Sequence, residues 1–170
     1  MKIITASKLI TVSLLALLVC SCSRSASLSV KVNGSEIRAV GAGAEYCKGR
    51  LHILGGFNPT MNTILSVYVK ASTPGIYPLN SIDYDMGSYA GYSLYENTTS
   101  TNFISNSQYT GRIQITKLDT VSKRVSGTFE FDAAQILPDE MKFGTRIIHV
   151  TSGKFSTIPI EDTLKLDLAE

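Results

Sequence analysis

The chain has 170 residues, with 16 Lys+Arg against 14 Asp+Glu, three cysteines and no tryptophan. Two of the cations, Lys2 and Lys8, sit at the head of the chain, and without them the charges balance with no basic run left. That excludes binding driven by the phosphates of a nucleic acid, and the length suits one domain behind a leader.

Residues 9–19 read Leu-Ile-Thr-Val-Ser-Leu-Leu-Ala-Leu-Leu-Val, eleven positions without a charge. This is the length of a signal-peptide core and falls short of the roughly 20 residues a membrane-spanning helix needs. The run closes on Val19-Cys20-Ser21-Cys22, which resembles a bacterial lipobox. Cys22 has the small Ser21 before it and Val19 three places back. Cys20 would have the β-branched Val19 in the cleavage position, so lipidation is expected at Cys22. The competing reading is a buried apolar helix opening a soluble domain. Residues 23–27 oppose it, being small, polar and linker-like with no helix stop. A lipoprotein cysteine of this kind carries several acyl chains, and at about 0.8 kcal/mol per buried methylene such an anchor is permanent.

Cleavage before Cys22 removes residues 1–21 and leaves 149, with 22–27 as lipidated cysteine and linker and 28–170 as a single β domain. Cys20 leaves with the leader and Cys22 takes the lipid. Cys47 alone remains, so the domain folds without an internal disulfide, and Cys47 is expected to be a small buried thiol.

Residues 28–32 alternate apolar and polar, the period of a half-buried strand, and Asn33-Gly34 turns them into residues 35–40. Gly41, Ala42 and Gly43 mark a loop or bulge. Residues 50–54 alternate again and break at Gly55-Gly56-Phe57-Asn58-Pro59. Residues 63–71 form the clearest strand of the first half, with Leu65, Val67, Val69 and Ala71 on one face. Thr73-Pro74-Gly75 turns the chain into residues 76–79. Residues 89–95 can form a strand, and residues 97–108 read as an exposed loop. Residues 111–116 alternate with Ile113 and Ile115 inward, 119–123 turn, and Val125, Gly127, Phe129 and Phe131 share a face. Residues 133–143 are expected to hold one helical turn, limited by Pro138. Residues 146–152 and 154–158 close the domain as a strand broken at Gly153. The pattern predicts an all-β fold, an antiparallel β-sandwich or open barrel of about 8–10 strands, after the lipoprotein signal peptide. The expected core is Val30, Val32, Leu51, Ile53, Leu65, Val67, Val69, Ile113, Ile115, Val125, Phe129, Phe131, Val150 and Phe155.

Several segments occur in a telling order: the lipobox, Val32-Asn33-Gly34, Gly111-Arg112-Ile113-Gln114-Ile115-Thr116, Val125-Ser126-Gly127-Thr128-Phe129-Glu130-Phe131, Val150-Thr151-Ser152-Gly153-Lys154-Phe155 and Ile158-Pro159. Together they resemble a family of small Bacteroidota lipoproteins built on one β-sandwich-like domain of unknown function. The resemblance spans most of residues 28–160. Such chains often carry a tryptophan near the first hairpin, where this one has Ile37. The family supplies no catalytic residues to carry over.

Two histidines, His52 and His149, fall on outward strand faces, where they are expected to be solvated, and they assemble no catalytic set. Asp83-Tyr84-Asp85 offers two carboxylates to a cation, too few for calcium, so neither metal nor cofactor is expected. Tyr84, Tyr89, Tyr92 and Tyr95 are the candidate ligand face, because tyrosine joins a flat apolar ring to a polar tip. The alternative is that these rings pack a sheet face. Asp119-Thr120-Val121 and Asp162-Thr163-Leu164 resemble the O-glycosylation tripeptide of exported Bacteroidota proteins, which implies Thr120 and Thr163 as acceptors. The expected function is a membrane-anchored binding or assembly module of the cell envelope, with a glycan or an envelope protein as partner. The alternative is a hydrolase of envelope glycans or peptides. Residues 23–27 hold one base, Arg24, and no acid, and the first acid after Cys22 is Glu36. Surface-displayed Bacteroidota lipoproteins typically carry an acidic signal there. By that resemblance the protein is expected to face the periplasm, at the outer membrane; the alternative is surface display, which an acid-free, Ser-rich start does not exclude.

Overall fold

A computed structural model describes residues 25–60, 62–82, 87–137 and 142–161. Residues 1–24, with Cys22, lie outside the described residues, as do Asp83, Tyr84, Asp85 and Thr163. The described chain is all-β. Its strands are β1 (Ser27–Val32), β2 (Ser35–Cys47), β3 (Arg50–Phe57), β4 (Thr63–Lys70), β5 (Gly75–Leu79), β6 (Tyr89–Glu96), β7 (Thr99–Ile104), β8 (Gly111–Asp119), β9 (Arg124–Leu137) and β10 (Lys142–Glu161). Asn33 and Gly34 both take positive φ, 47° and 85°, as the tight β1–β2 hairpin requires. Lys48 and Gly49 repeat that geometry between β2 and β3, at φ 50° and 75°.

Pairing runs in a closed circuit. From β9 it passes through β7, β6, β4, β3 and β2 to β10, and back to β9. All these pairs are antiparallel except β10 with β2, where Ile160 faces Ala44 and Glu161 faces Glu45 in parallel. Following the register from Ala134 through Ile104, Gly91, Ser66, Leu54 and Gly43 brings the circuit back to β9 near Arg124, ten residues upstream. Such a stagger demands steeply tilted strands. β1 fills the wedge between β2 and β10, and β8 and β5 extend from β9 as a flap. The result is one ten-stranded mixed sheet whose circuit of pairing closes into a barrel.

The alternating residues of every strand fill the interior. Leu51, Ile53, Leu65, Val67, Ile113 and Val125 have no exposed surface. Each expected core residue is buried except Val32, which is half-buried and packs against the cluster, as does Ile37.

Three expectations change. Residues 97–108 are not a loop: Asn97 turns the chain at φ 53°, and β7 then pairs with β6. Phe103 and Ile104 are buried, and Ser105 Oγ accepts the Ala90 N–H at 2.8 Å. Thr99 and Ser100 are exposed, while Ser105 and Asn106 are buried polar residues. The helical turn at 133–143 is replaced by strand up to Leu137 and again from Lys142, and residues 138–141 lie outside the described residues. The closing strand is continuous. Gly153 marks a bulge within it, at a site where a Cβ would come within 2.6 Å of the Phe129 ring.

Candidate functional site

The outer face of β2, β3, β4 and β6 carries the most developed surface feature. Alternation turns Ala44, Ile53, Val67 and Ala90 inward, so their neighbours Glu45, His52, Tyr68 and Tyr89 point outward. Register places these four directly opposite one another, one per strand. The rings answer to that alignment. His52 stacks on Tyr68 at 3.8 Å between centroids and 13° between planes, and Tyr68 stacks on Tyr89 at 4.6 Å and 21°. Those separations match the spacing of adjacent strands, about 4.8 Å, so the rings stand off the sheet like cards in a rack.

A cleft of about 690 Å³ lies over this row. Its rim carries Glu45, Cys47, Lys48, Arg50, Lys70 and Gly87. His52 is not the solvated strand histidine expected from its outward position. Burial holds its pKa down at about 4, so the imidazole is neutral near pH 7. Its Nε2 is buried and, among the described residues, has no hydrogen-bond partner. Cys47, expected to be buried, is exposed, because it shares the outward side of β2 with Glu45 at the very end of the strand.

The four candidate tyrosines do not form one face. Tyr89 joins the stacked row and is 5% exposed. Tyr92 points the other way, between Leu65 and Phe103 in the core, where burial raises the pKa of its hydroxyl against the opposing effect of a hydrogen bond with Thr63. Tyr95 is exposed, opposite Ser100 near the β6–β7 turn. Tyr84 lies outside the described residues. Sequence reasoning missed Tyr68 and the pairing of His52 with it. Outward parity was readable for both, but their alignment depends on the β3–β4 register.

A second arrangement lies on β9 and β10. His149 Nδ1 is 2.7 Å from Asp132 Oδ1, and both side chains are about half exposed. The first hairpin brackets this histidine: the His149 N–H donates to Asn33 Oδ1, and the Asn33 N–H donates to the His149 carbonyl, each at 2.9 Å. A cleft of about 440 Å³ adjoins Asp132. A carboxylate on Nδ1 fixes the tautomer and leaves Nε2 as a base, but among the described residues no hydroxyl or thiol is hydrogen-bonded to His149. His52 and His149 belong to separate sites, and no described group of three His, Cys, Asp or Glu side chains could hold a metal.

Thr120 sits at an exposed turn. The turn is braced by Asp119, whose Oδ1 accepts the N–H groups of Val121 at 3.2 Å and Ser122 at 2.8 Å. The hydrogen bonds from Ser122 hold the Asp119 carboxyl down at about 2.

No curated protein and no solved structure matches the chain. A family model described as a domain of unknown function (DUF6252) matches residues 24–159, and the chain belongs to that family.

Proposed function

From membership of a family without an assigned activity, we propose that the protein is a lipid-anchored envelope module that binds a ligand without transforming it. The cleft over His52, Tyr68 and Tyr89 is its ligand site. Cys22 carries the anchor in this reading, supported by the Val19-Cys20-Ser21-Cys22 box and by a domain whose first strand begins at Ser27. The acid-free stretch 23–27 supports a periplasmic-facing position at the outer membrane of a Bacteroidota cell.

One observation carries the ligand site: the cleft is lined by a neutral histidine whose buried imidazole nitrogen has no partner among the described residues. An unsatisfied buried polar group costs about 1–3 kcal/mol, and a ligand whose binding opens the imidazole edge to the cleft and hydrogen-bonds it recovers that cost. A pKa of about 4 suits hydrogen bonding and is too low for efficient general-base work near pH 7. The ring faces are already stacked on one another, which leaves their edges to meet the ligand. A polar chain rich in hydrogen-bonding groups fits such a site, either a glycan or a peptide segment of an envelope protein.

The test is a binding screen of residues 23–170 against envelope glycans and envelope proteins, repeated with His52→Phe. Phenylalanine keeps the stack and deletes Nε2. Affinity for any hit should fall about fivefold, since a hydrogen bond to a neutral group contributes about 1 kcal/mol. Unchanged affinity removes the cleft from the reading. The hydrolase alternative draws support from the His149–Asp132 contact at 2.7 Å. Hydrolysis of envelope glycans or peptides that vanishes in His149→Ala would favour it over the binding module.

A further inference from the structure

We propose that the turn at residues 119–123 is a lipid-contacting foot, held against the bilayer that receives the Cys22 anchor, with the Val121 side chain in the interface. The inference rests on the anchored reading of Cys22 and adds a docking surface and an orientation to it.

The place where the chain enters the domain selects this occupant. Cys22 stands three residues before Ser25, and three residues of extended chain reach about 11 Å at most. Ser25 is fastened to the domain, because its carbonyl accepts a hydrogen bond from Thr157 Oγ1 at 3.3 Å. The Thr157 carbonyl in turn accepts one from Arg124 Nη1 at 3.1 Å. Arg124 directly follows the turn. Lys123, the last residue of the turn, accepts the Ile160 N–H at 3.0 Å through its carbonyl. The anchor's exit and the turn therefore share one corner of the barrel, and an anchor this short keeps that corner at the lipid surface.

The turn itself is made for such a contact. Val121 is 95% exposed, against 65% for Ile76 and 57% for Val40, the next most exposed large apolar side chains among the described residues. It cannot fold back, since Asp119 Oδ1 grips the N–H groups on both sides of the tip and Lys123 holds a φ of 49°. A stiff tip that presents valine to water gains nothing within the domain, and gains burial at an acyl–headgroup boundary. Lys117, Lys123 and Arg124 flank it, against Asp119, Glu161 and Glu45, which stands opposite Glu161, so the charges of the corner balance and the contact rests on the apolar tip. The Asn33-Gly34 hairpin lies at the opposite end of β1, about 20 Å from Ser27, and points away from the membrane in this orientation.

The test uses the full lipidated protein in a Cys47→Ser background. A single cysteine is placed at Val121 (Val121→Cys) or, as a control, at Ser35 (Ser35→Cys), beside the distal hairpin. Each is labelled with an environment-sensitive fluorophore and reconstituted in equimolar phosphatidylethanolamine–phosphatidylglycerol vesicles. The label at 121 should shift to the blue and resist aqueous iodide, while the label at 35 stays quenchable. The difference should vanish in protein made from Ser23 onward, which lacks the leader and the lipidated cysteine. Equal quenching at both positions, in protein that floats with the vesicles, overturns the foot and leaves the anchor standing. Protein with Cys22 intact that fails to float overturns the anchor and the foot together. A hexose on Thr120 of the cell-derived protein also overturns the foot, since a glycan there would hold the turn off the lipid.

Discussion

His52 shows how one side chain departs from its sequence expectation. Position fixed its direction, because alternation through residues 50–54 turns it outward. Direction did not fix its environment, because Tyr68 and the cleft walls desolvate it. Its folded-state pKa, about 4, lies below the ordinary 6.5, so the unfolded chain binds the extra proton first as pH falls. Stability from this residue is fully present above pH 6.5 and is lost as pH drops toward 4. Between pH 7 and 5 the loss should be roughly 2 kcal/mol. Asp119 acts in a lower window: its contribution is present above the ordinary 3.8 and is lost as pH falls toward 2. Urea unfolding of wild type and His52→Phe at pH 7, 6 and 5 separates the two. A His52→Phe variant that keeps the whole pH slope would show that other groups produce it. Tyr92 teaches the converse lesson. Tyr89, Tyr92 and Tyr95 are three residues apart, and in a strand that spacing sends successive rings to opposite faces. The sequence alone held the correction.

At the level of the strands, the firmest expectations came from strict alternation, and 63–71, 111–116 and 125–131 all emerged as strands with the expected faces buried. Phe129 is 3% exposed and lies against Phe131, Phe155 and the Gly153 bulge. Phe129→Ala should therefore cost roughly 3–5 kcal/mol in urea unfolding. A change within error would mean the face is inverted. Gly153→Ala attacks the same contact from the other side. Its added methyl would meet the Phe129 ring and carbonyl at 2.6 Å, and the loss should be about 1–3 kcal/mol. β7 was missed because Thr99-Ser100-Thr101-Asn102 gives no apolar alternation; only Phe103 and Ile104 reach the core. A strand whose outer half pairs with a single neighbour needs no buried face, so composition hides it. The expected break at Gly153 had the right residue and the wrong consequence. A glycine can end a strand or kink it, and the partner strand decides which.

For the molecule as a whole, strand count and class were readable, while closure was not. Closure rests on pairings between residues far apart in the chain, and no local pattern encodes them. Two seams complete the circuit of the sheet, and both are short. β7 meets β9 through Phe103–Gln135 and Ile104–Ala134, and β10 meets β2 through Ile160–Ala44 and Glu161–Glu45. The second seam is reinforced by β1, which pairs with both β2 and β10. The first is bridged by Arg146, whose guanidinium lies 5.6 Å from the centre of the Phe103 ring. β3 and β4, by contrast, stay in register from Arg50–Lys70 to Phe57–Thr63. Local opening favours regions with few cross-strand bonds, so the β7–β9 seam should open first. In native-state hydrogen exchange, amides bonded across the Ile104–Ala134 seam should exchange well before those of Leu65 and Val67. Arg146→Ala should widen the gap without changing exchange in β3 and β4, because it removes a contact worth about 0.5–1 kcal/mol at an exposed site. Seam amides that exchange only with global unfolding would show that the barrel opens as one unit. The cleft over His52 lies wholly on the β2–β3–β4–β6 side of both seams. A molecule that opens at β7–β9 can therefore loosen while its ligand site stays intact.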